Sequence, residues 1–101
     1  MITTTLAQST ATLVGYSDYP GCTSEVESYS GGANDQCWVF PEDPLAVKLY
    51  SMTRSNKCYA KIFSDTECTN EIRTIGPIGN YTGSCIKAGD SGMASWIWVD
   101  C

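Results

Sequence analysis

The sequence predicts an all-β fold, a small disulfide-stapled β-sandwich or β-barrel of about eight short strands. Three observations carry this prediction. Apolar and polar residues alternate over short runs, clusters of turn-forming residues interrupt these runs about every eight to twelve residues, and six cysteines occur in only 101 residues. No segment has the periodicity of a convincing helix.

The alternating runs predict strands at residues 11–16, 25–29, 37–40, 45–52, 58–63, 71–75, 84–87 and 95–100. Turn clusters separate them, such as Tyr19-Pro20-Gly21 and residues 76–80. Glycine and asparagine accept positive φ, and proline cannot donate to a sheet ladder. These clusters are therefore predicted to end one strand and begin the next.

The cysteines predict a disulfide framework. Structural zinc prefers cysteine pairs two to four residues apart, whereas nine residues lie between the closest pair in this chain, so we expect no metal. Sequence proximity favours three bridges among many possible connectivities: Cys22 with Cys37, Cys58 with Cys68 and Cys85 with Cys101. Because disulfides persist in oxidising compartments, the chain is expected to be secreted and extracellular.

Length and charge narrow the function further. We expect residues 1–10 to be a flexible lead-in and residues 11–101 to form a single domain. No apolar run is long enough for a secretion signal or a membrane span, which indicates a mature, soluble form. With 11 acidic and 6 basic residues, the formal charge of -5 makes nucleic acid and anionic membranes poor partners.

The chain contains no histidine, and this absence argues against most enzyme classes. Serine and cysteine nucleophiles usually depend on an imidazole base, and zinc and haem sites usually use imidazole ligands. Glu42 and Asp43 are adjacent in a proline-flanked turn, where their carboxylates are expected to point apart into water. We therefore predict no catalytic residues and no cofactor.

Aromatic residues provide the candidate binding residues. In the run Trp96-Ile97-Trp98-Val99 both faces of the predicted strand are apolar, so each face needs a cover. The cover is either the opposite sheet of a sandwich or a second copy of the chain, in which case Trp96 and Trp98 lie at a homodimer interface. Tyr16 and Tyr19 are predicted to be surface aromatics that contact a partner.

One modification site is predicted. Asn80-Tyr81-Thr82 is an N-glycosylation sequon in a glycine-rich loop. The sequon makes Asn80 a possible glycosylation site and is compatible with secretion.

The second half of the chain resembles small secreted cysteine-rich proteins of filamentous fungi. The resemblance is carried by Val47-Lys48-Leu49-Tyr50-Ser51, by the stretch from Cys58 to Phe63-Ser64-Asp65, by Cys68, by the glycine-rich loop before Cys85, and by Trp98-Val99-Asp100-Cys101. Members of this group include effectors and elicitors of plant-associated fungi, and the chain looks most like elicitor-like proteins of root-colonising fungi. No functional residue carries over, because the group shares no catalytic motif.

These observations predict a non-enzymatic secreted fungal protein that binds a host protein or a cell-wall glycan through a rigid surface and triggers plant defence. A carbohydrate-binding module or lectin is the first alternative. A secreted toxin or inhibitor is the second, with residues 30–36 as the candidate reactive loop.

Overall fold

A computed structural model describes residues 11–30, 35–50, 57–87 and 92–100 of the chain. The described residues form two antiparallel four-stranded sheets and no α-helix, so the all-β prediction is confirmed. All eight predicted strands are present, with slightly different ends. Their bounds are β1 Thr12–Tyr16, β2 Glu25–Ser30, β3 Trp38–Val39, β4 Ala46–Tyr50, β5 Tyr59–Phe63, β6 Glu71–Ile75, β7 Ile86–Lys87 and β8 Ser95–Val99.

The two halves of the chain have the same strand topology, which we call the pseudo-symmetry of the fold. Sheet A has the strand order β2-β1-β4-β7, and sheet B has the order β3-β8-β5-β6. Strands β2, β1 and β4 of sheet A correspond to β6, β5 and β8 of sheet B, in the same spatial order. The fourth strand of sheet A, β7, corresponds to β3 of sheet B. The first half (β1–β4) and the second half (β5–β8) therefore have the same arrangement, and each half contributes its third strand to the sheet of the other.

Strand register defines which residues of the two halves are equivalent. Tyr16 pairs with Ala46 across β1 and β4, and Phe63 pairs with Ser95 across β5 and β8. Each first strand also has a register irregularity at its end, between Gly15 and Tyr16 in one half and before Phe63 in the other. A bulge of this kind bends a strand, so the hairpins β1–β2 and β5–β6 turn at matching positions.

The inner faces of the two sheets form one core. Alternate residues of each strand point inward, and the fully buried ones include Leu13, Val47, Leu49, Ala60, Ile62, Trp96 and Trp98. The Trp38 and Trp96 rings stack with 5.7 Å between their centroids, while Trp98 meets Trp96 edge-on at 4.8 Å. One core shared by two sheets makes the fold a sandwich.

Trp96 and Trp98 lie in this core, each with 0% of its surface exposed. They are therefore not available as an interface on the surface of the chain. The sandwich-centre alternative accounts for the inner face of β8. Homodimer formation stays a prediction.

The three cysteine pairs predicted from sequence proximity are wrong. Disulfides join Cys22 to Cys85 and Cys37 to Cys68, across separations of 63 and 31 residues. Cys58 is also in a disulfide, and no cysteine of the described residues is free. Proximity fails because β3 and β7 cross to the other sheet, carrying Cys37 and Cys85 away from their sequence neighbours.

The two disulfides are equivalent under the pseudo-symmetry. Cys22 and Cys68 occupy matching places in the β1–β2 and β5–β6 loops, and both have positive φ, at 48° and 56°. Cys37 and Cys85 each precede the third strand of their half. Each bridge therefore joins the first loop of one half to the third strand of the other.

The segment 76–80 was predicted as a turn, and it contains a one-turn 3-10 helix, Ile78–Asn80. The Ile78 side chain is fully buried and anchors this crossing from sheet B to sheet A. No helix of the described ranges is long and apolar enough to cross a membrane. The lead-in at 1–10, the end of the predicted strand 45–52, most of the loop 30–36, and Cys101 lie outside the described residues.

Candidate functional site

The loop between β1 and β2 is held in shape by one carboxylate. Asp18 accepts hydrogen bonds from the backbone amides of Thr23 (2.9 Å) and Ser24 (2.8 Å) and from the Thr23 hydroxyl (2.8 Å). These bonds, the Ser24 amide first, hold the pKa of Asp18 below its ordinary value, because they stabilise the charged form. The conformation of the loop is thus fixed by hydrogen bonds between its own residues.

The Cys22–Cys85 disulfide fastens this loop to sheet A. Cys22 is buried together with Val14, Tyr16 and Ala46 on the outer face of the sheet, and Cys85 packs against the same cluster. The loop therefore covers part of the outer face instead of extending into solvent.

Tyr19 stands at the exposed end of the loop, with 47% of its surface accessible. The ammonium nitrogen of Lys87 lies 5.8 Å from the centroid of the Tyr19 ring, a distance at which a cation is attracted to an aromatic face. The backbone of Lys87 is fixed by a further contact, since its carbonyl accepts a 2.8 Å hydrogen bond from Arg73 Nη1. Tyr19 is thus the surface aromatic that the sequence predicted.

The outer face of sheet A continues from Tyr19 through two more tyrosines. Tyr16 is buried with Val14, Cys22 and Ala46, so the prediction that it is a surface aromatic is wrong: the loop that carries Cys22 covers it. Tyr50 is half-buried and packs against the same cluster. Burial is the main cause that raises the pKa of Tyr16, and Tyr50 raises it further. The ammonium nitrogen of Lys48 lies 5.6 Å from the Tyr16 ring centroid. We call Tyr16, Tyr19, Tyr50, Lys48 and Lys87 the tyrosine–lysine face.

The equivalent loop of the second half is built in the same way. Asp65 accepts hydrogen bonds from the amides of Thr69 (3.1 Å) and Asn70 (2.8 Å) and from the Thr69 hydroxyl (2.5 Å). These bonds, the Thr69 hydroxyl first, lower the pKa of Asp65 to about 2. The buried hydroxyl of Ser95 donates to the Asp65 carbonyl, so this loop too is tied to its sheet.

The outer face of sheet B differs in chemistry from that of sheet A. Register places Phe63 where sheet A has Tyr16, Ile97 where it has Lys48, Val99 where it has Tyr50, and Val39 where it has Lys87. We call Val39, Phe63, Ile97 and Val99 the apolar face. Val39 is 46% exposed and Phe63 is buried. At these four equivalent positions sheet A carries tyrosines and lysines, whereas sheet B carries hydrocarbon side chains; Lys61 lies opposite Ile97 on the same face of sheet B.

Three carboxylates lie close together near the start of β4. Glu42 and Asp43 lie close enough to Glu27 for their charges to raise the pKa of the Glu27 carboxyl. Burial is the larger cause of that raised pKa. No group of three or more acidic, cysteine or histidine side chains in the described parts of the chain is arranged to hold a metal ion.

The sequence signal for the paired loops was missed. Ser17-Asp18 is followed by Cys22-Thr23-Ser24-Glu25, and Ser64-Asp65 is followed by Cys68-Thr69-Asn70-Glu71. The two segments differ by one residue in the spacing between Asp and Cys, which hides the repeat. Sequence reasoning also missed Tyr50, Lys48 and Lys87, whose common face depends on strand register.

Asn80 is exposed at the end of the 3-10 turn, and the Thr82 hydroxyl of its sequon donates a 3.0 Å hydrogen bond to the Ile78 carbonyl. The position leaves room for a glycan, and glycosylation stays a prediction. Comparison with protein-family models, with curated proteins and with solved structures found no match to this chain.

Proposed function

We propose that the chain is a non-enzymatic secreted protein that acts by contact, with the tyrosine–lysine face as its binding surface. The observation that carries this proposal is the fixed position of Tyr19. Its loop is ordered by Asp18 and bonded covalently to sheet A through Cys22–Cys85, yet the ring itself is 47% exposed. An exposed aromatic on a pre-organised loop loses little conformational entropy when it binds.

The partner in this proposal is a host protein or a cell-wall glycan, and binding triggers plant defence, as in the fungal elicitors that the sequence resembles. The disulfides support secretion, because such bonds persist in oxidising compartments. They also support action in a medium rich in proteases, since cross-links disfavour the open states that proteases cleave.

Infiltration of leaves tests the proposal. The folded protein is infiltrated beside a reduced and alkylated sample of the same chain and beside a Tyr19→Ala variant. We expect a defence response to the folded protein, a weaker response to the variant, and none to the alkylated sample. Equal responses to folded and alkylated protein, or no response to either, would remove the hypothesis.

A second candidate function is a carbohydrate-binding module. It is favoured by the Tyr19 ring beside the Lys87 ammonium, because an exposed aromatic with adjacent polar groups can stack on a sugar ring. A glycan array with the folded protein tests this candidate. Binding that Tyr19→Ala does not weaken would argue against it.

A further inference from the structure

We propose that the tyrosine–lysine face binds a polysaccharide of uronic acids. Sugar rings stack on Tyr19, and sugar carboxylates meet the ammonium groups of Lys48 and Lys87. This inference rests on the proposed function, since it names the partner class of the same surface.

Strand register brings the two lysines together. Lys87 on β7 lies opposite Ala46 on β4, and Lys48 is two residues further along β4, so both project from the outer face as diagonal neighbours. Their ammonium nitrogens lie 5.6 Å and 5.8 Å from the ring centroids of Tyr16 and Tyr19. The face therefore combines ring surface with two adjacent cations, which matches a polymer whose rings carry one carboxylate each.

Within the ranges that the structure describes, the carboxylates near Tyr16 lie on other strands than the two lysines. The nearby carboxylates, Asp18 and Glu25, lie in the β1–β2 loop and on β2, and β1 separates β2 from the lysine-bearing strands β4 and β7. Asp18 is moreover engaged by the amides of its own loop. Lys48 and Lys87 thus place two positive charges on the β4–β7 side of the face, in a chain whose formal charge is -5.

Two other basic residues serve structural contacts. Lys61 pairs with Glu71 at 3.7 Å, and Arg73 donates to the Lys87 carbonyl. The side chains of Lys61 and Arg73 lie on sheet B, and the Arg73 bond reaches the backbone of Lys87 and not its ammonium group.

The equivalent positions of sheet B carry apolar side chains. At the equivalent positions of sheet B the same backbone carries Ile97 in place of Lys48 and Val39 in place of Lys87. Phe63 likewise stands in place of Tyr16 without its hydroxyl. Since sheet B forms the same strand arrangement with apolar residues at these positions, we assign the lysines of sheet A to binding.

Isothermal titration calorimetry with polygalacturonate tests the inference, with the fully methyl-esterified polymer and neutral dextran as control ligands. The variants Lys48→Ile and Lys87→Val introduce the residues of sheet B. Lys61→Val is the matched control. It removes one positive charge from sheet B and introduces valine, the residue type that sheet A carries at the equivalent position, Val14. Thermal unfolding of each variant establishes that it is folded.

We expect binding to polygalacturonate and little to either control polymer. Because exposed ion pairs contribute modestly, each lysine variant should weaken binding by about two- to fivefold and the double variant by about tenfold. Tyr19→Ala should weaken it by about two- to tenfold through lost stacking. Lys61→Val should change it by less than about twofold, and added salt should weaken binding of the parent protein.

Three results would overturn the inference: no binding to polygalacturonate, equal binding to the esterified polymer, or the same loss for Lys61→Val as for Lys48→Ile. A leaf response without polygalacturonate binding would overturn this inference and leave the proposed function standing. Binding without a leaf response would contradict the elicitor role and leave the ligand class standing.

Discussion

Removal of the Cys22–Cys85 bridge by the double substitution Cys22→Ala and Cys85→Ala should lower the free energy of unfolding by about 4 kcal/mol. The bridge closes a separation of 63 residues, for which the chain-entropy relation gives about 4.3 kcal/mol at 25 °C. The same relation gives about 3.7 kcal/mol for the 31-residue separation of Cys37–Cys68.

The nesting of the two bridges should make their contributions nearly equal. Cys37 and Cys68 lie between Cys22 and Cys85 in the sequence. While the Cys37–Cys68 bridge is intact, the shortest covalent path from Cys22 to Cys85 runs over 15 residues to Cys37, across that bridge, and over 17 residues from Cys68. That effective loop is almost as short as the other, and the expected loss falls to about 3.7 kcal/mol. Two variants, one for each bridge, should therefore lose stability equally.

Guanidinium unfolding followed by tryptophan fluorescence measures this, because Trp96 and Trp98 are buried in the core. Thermal unfolding gives the same comparison. With an unfolding entropy of about 2.1 cal/mol/K per residue, a loss of about 3.7 kcal/mol in the free energy of unfolding lowers Tm by about 17 °C. The reasoning would be refuted if either variant unfolded at the midpoint of the parent protein, or if the two free energies differed by more than about 2 kcal/mol.

Three further predictions concern single residues. Trp96→Ala should lower the free energy of unfolding by about 3–5 kcal/mol by leaving a cavity. Trp96→Phe should lower the free energy of unfolding clearly less in the same chemical denaturation assay, because the buried indole nitrogen has no hydrogen-bond partner among the described residues. Equal losses of free energy for the two variants would contradict the packing described. In the folded chain the pKa of Asp65 is about 2, below its ordinary value of 3.8, so the unfolded chain binds the proton more readily. The stabilisation of the folded state by the charged Asp65 carboxylate is therefore lost as pH falls from about 4 towards 2. Asp65→Asn should flatten this acid limb of a Tm-against-pH profile, and a profile unchanged in shape would argue against it. Gly76→Ala should lower Tm more than Gly83→Ala, because the new Cβ would lie 2.6 Å from the Tyr59 ring in the first case and only make ordinary contact in the second; the reverse order would refute this.

All eight strands could be predicted from the sequence, because alternation of apolar and polar residues is a local signal. β6 was predicted with the observed ends, Glu71–Ile75. The pairing of the strands could not be predicted in the same way. β3 and β7 have only two residues each, and nothing within Trp38–Val39 or Ile86–Lys87 indicates which sheet will accept it.

The site was predicted only where one residue carries the signal alone. Tyr19 lies beside Pro20 and Gly21 in a turn, which favours exposure, and it is exposed. Trp96 and Trp98 share one face of a strand, and sequence alone does not say whether a sheet or a second chain covers that face. The grouping of Lys48 with Lys87 arises from the register of β4 with β7, which requires the three-dimensional structure.

The crossing of each half's third strand into the opposite sheet means that neither half is a complete unit. A fragment ending after β4 would lack the edge strand β7 of its own sheet and would leave β3 without a neighbour. The Cys22–Cys85 and Cys37–Cys68 bridges each run from one half to the other, so hydrolysis of a peptide bond between β4 and β5 would yield two pieces still held covalently. Such a nicked molecule would run as one band on a non-reducing gel and as two once thiol is added.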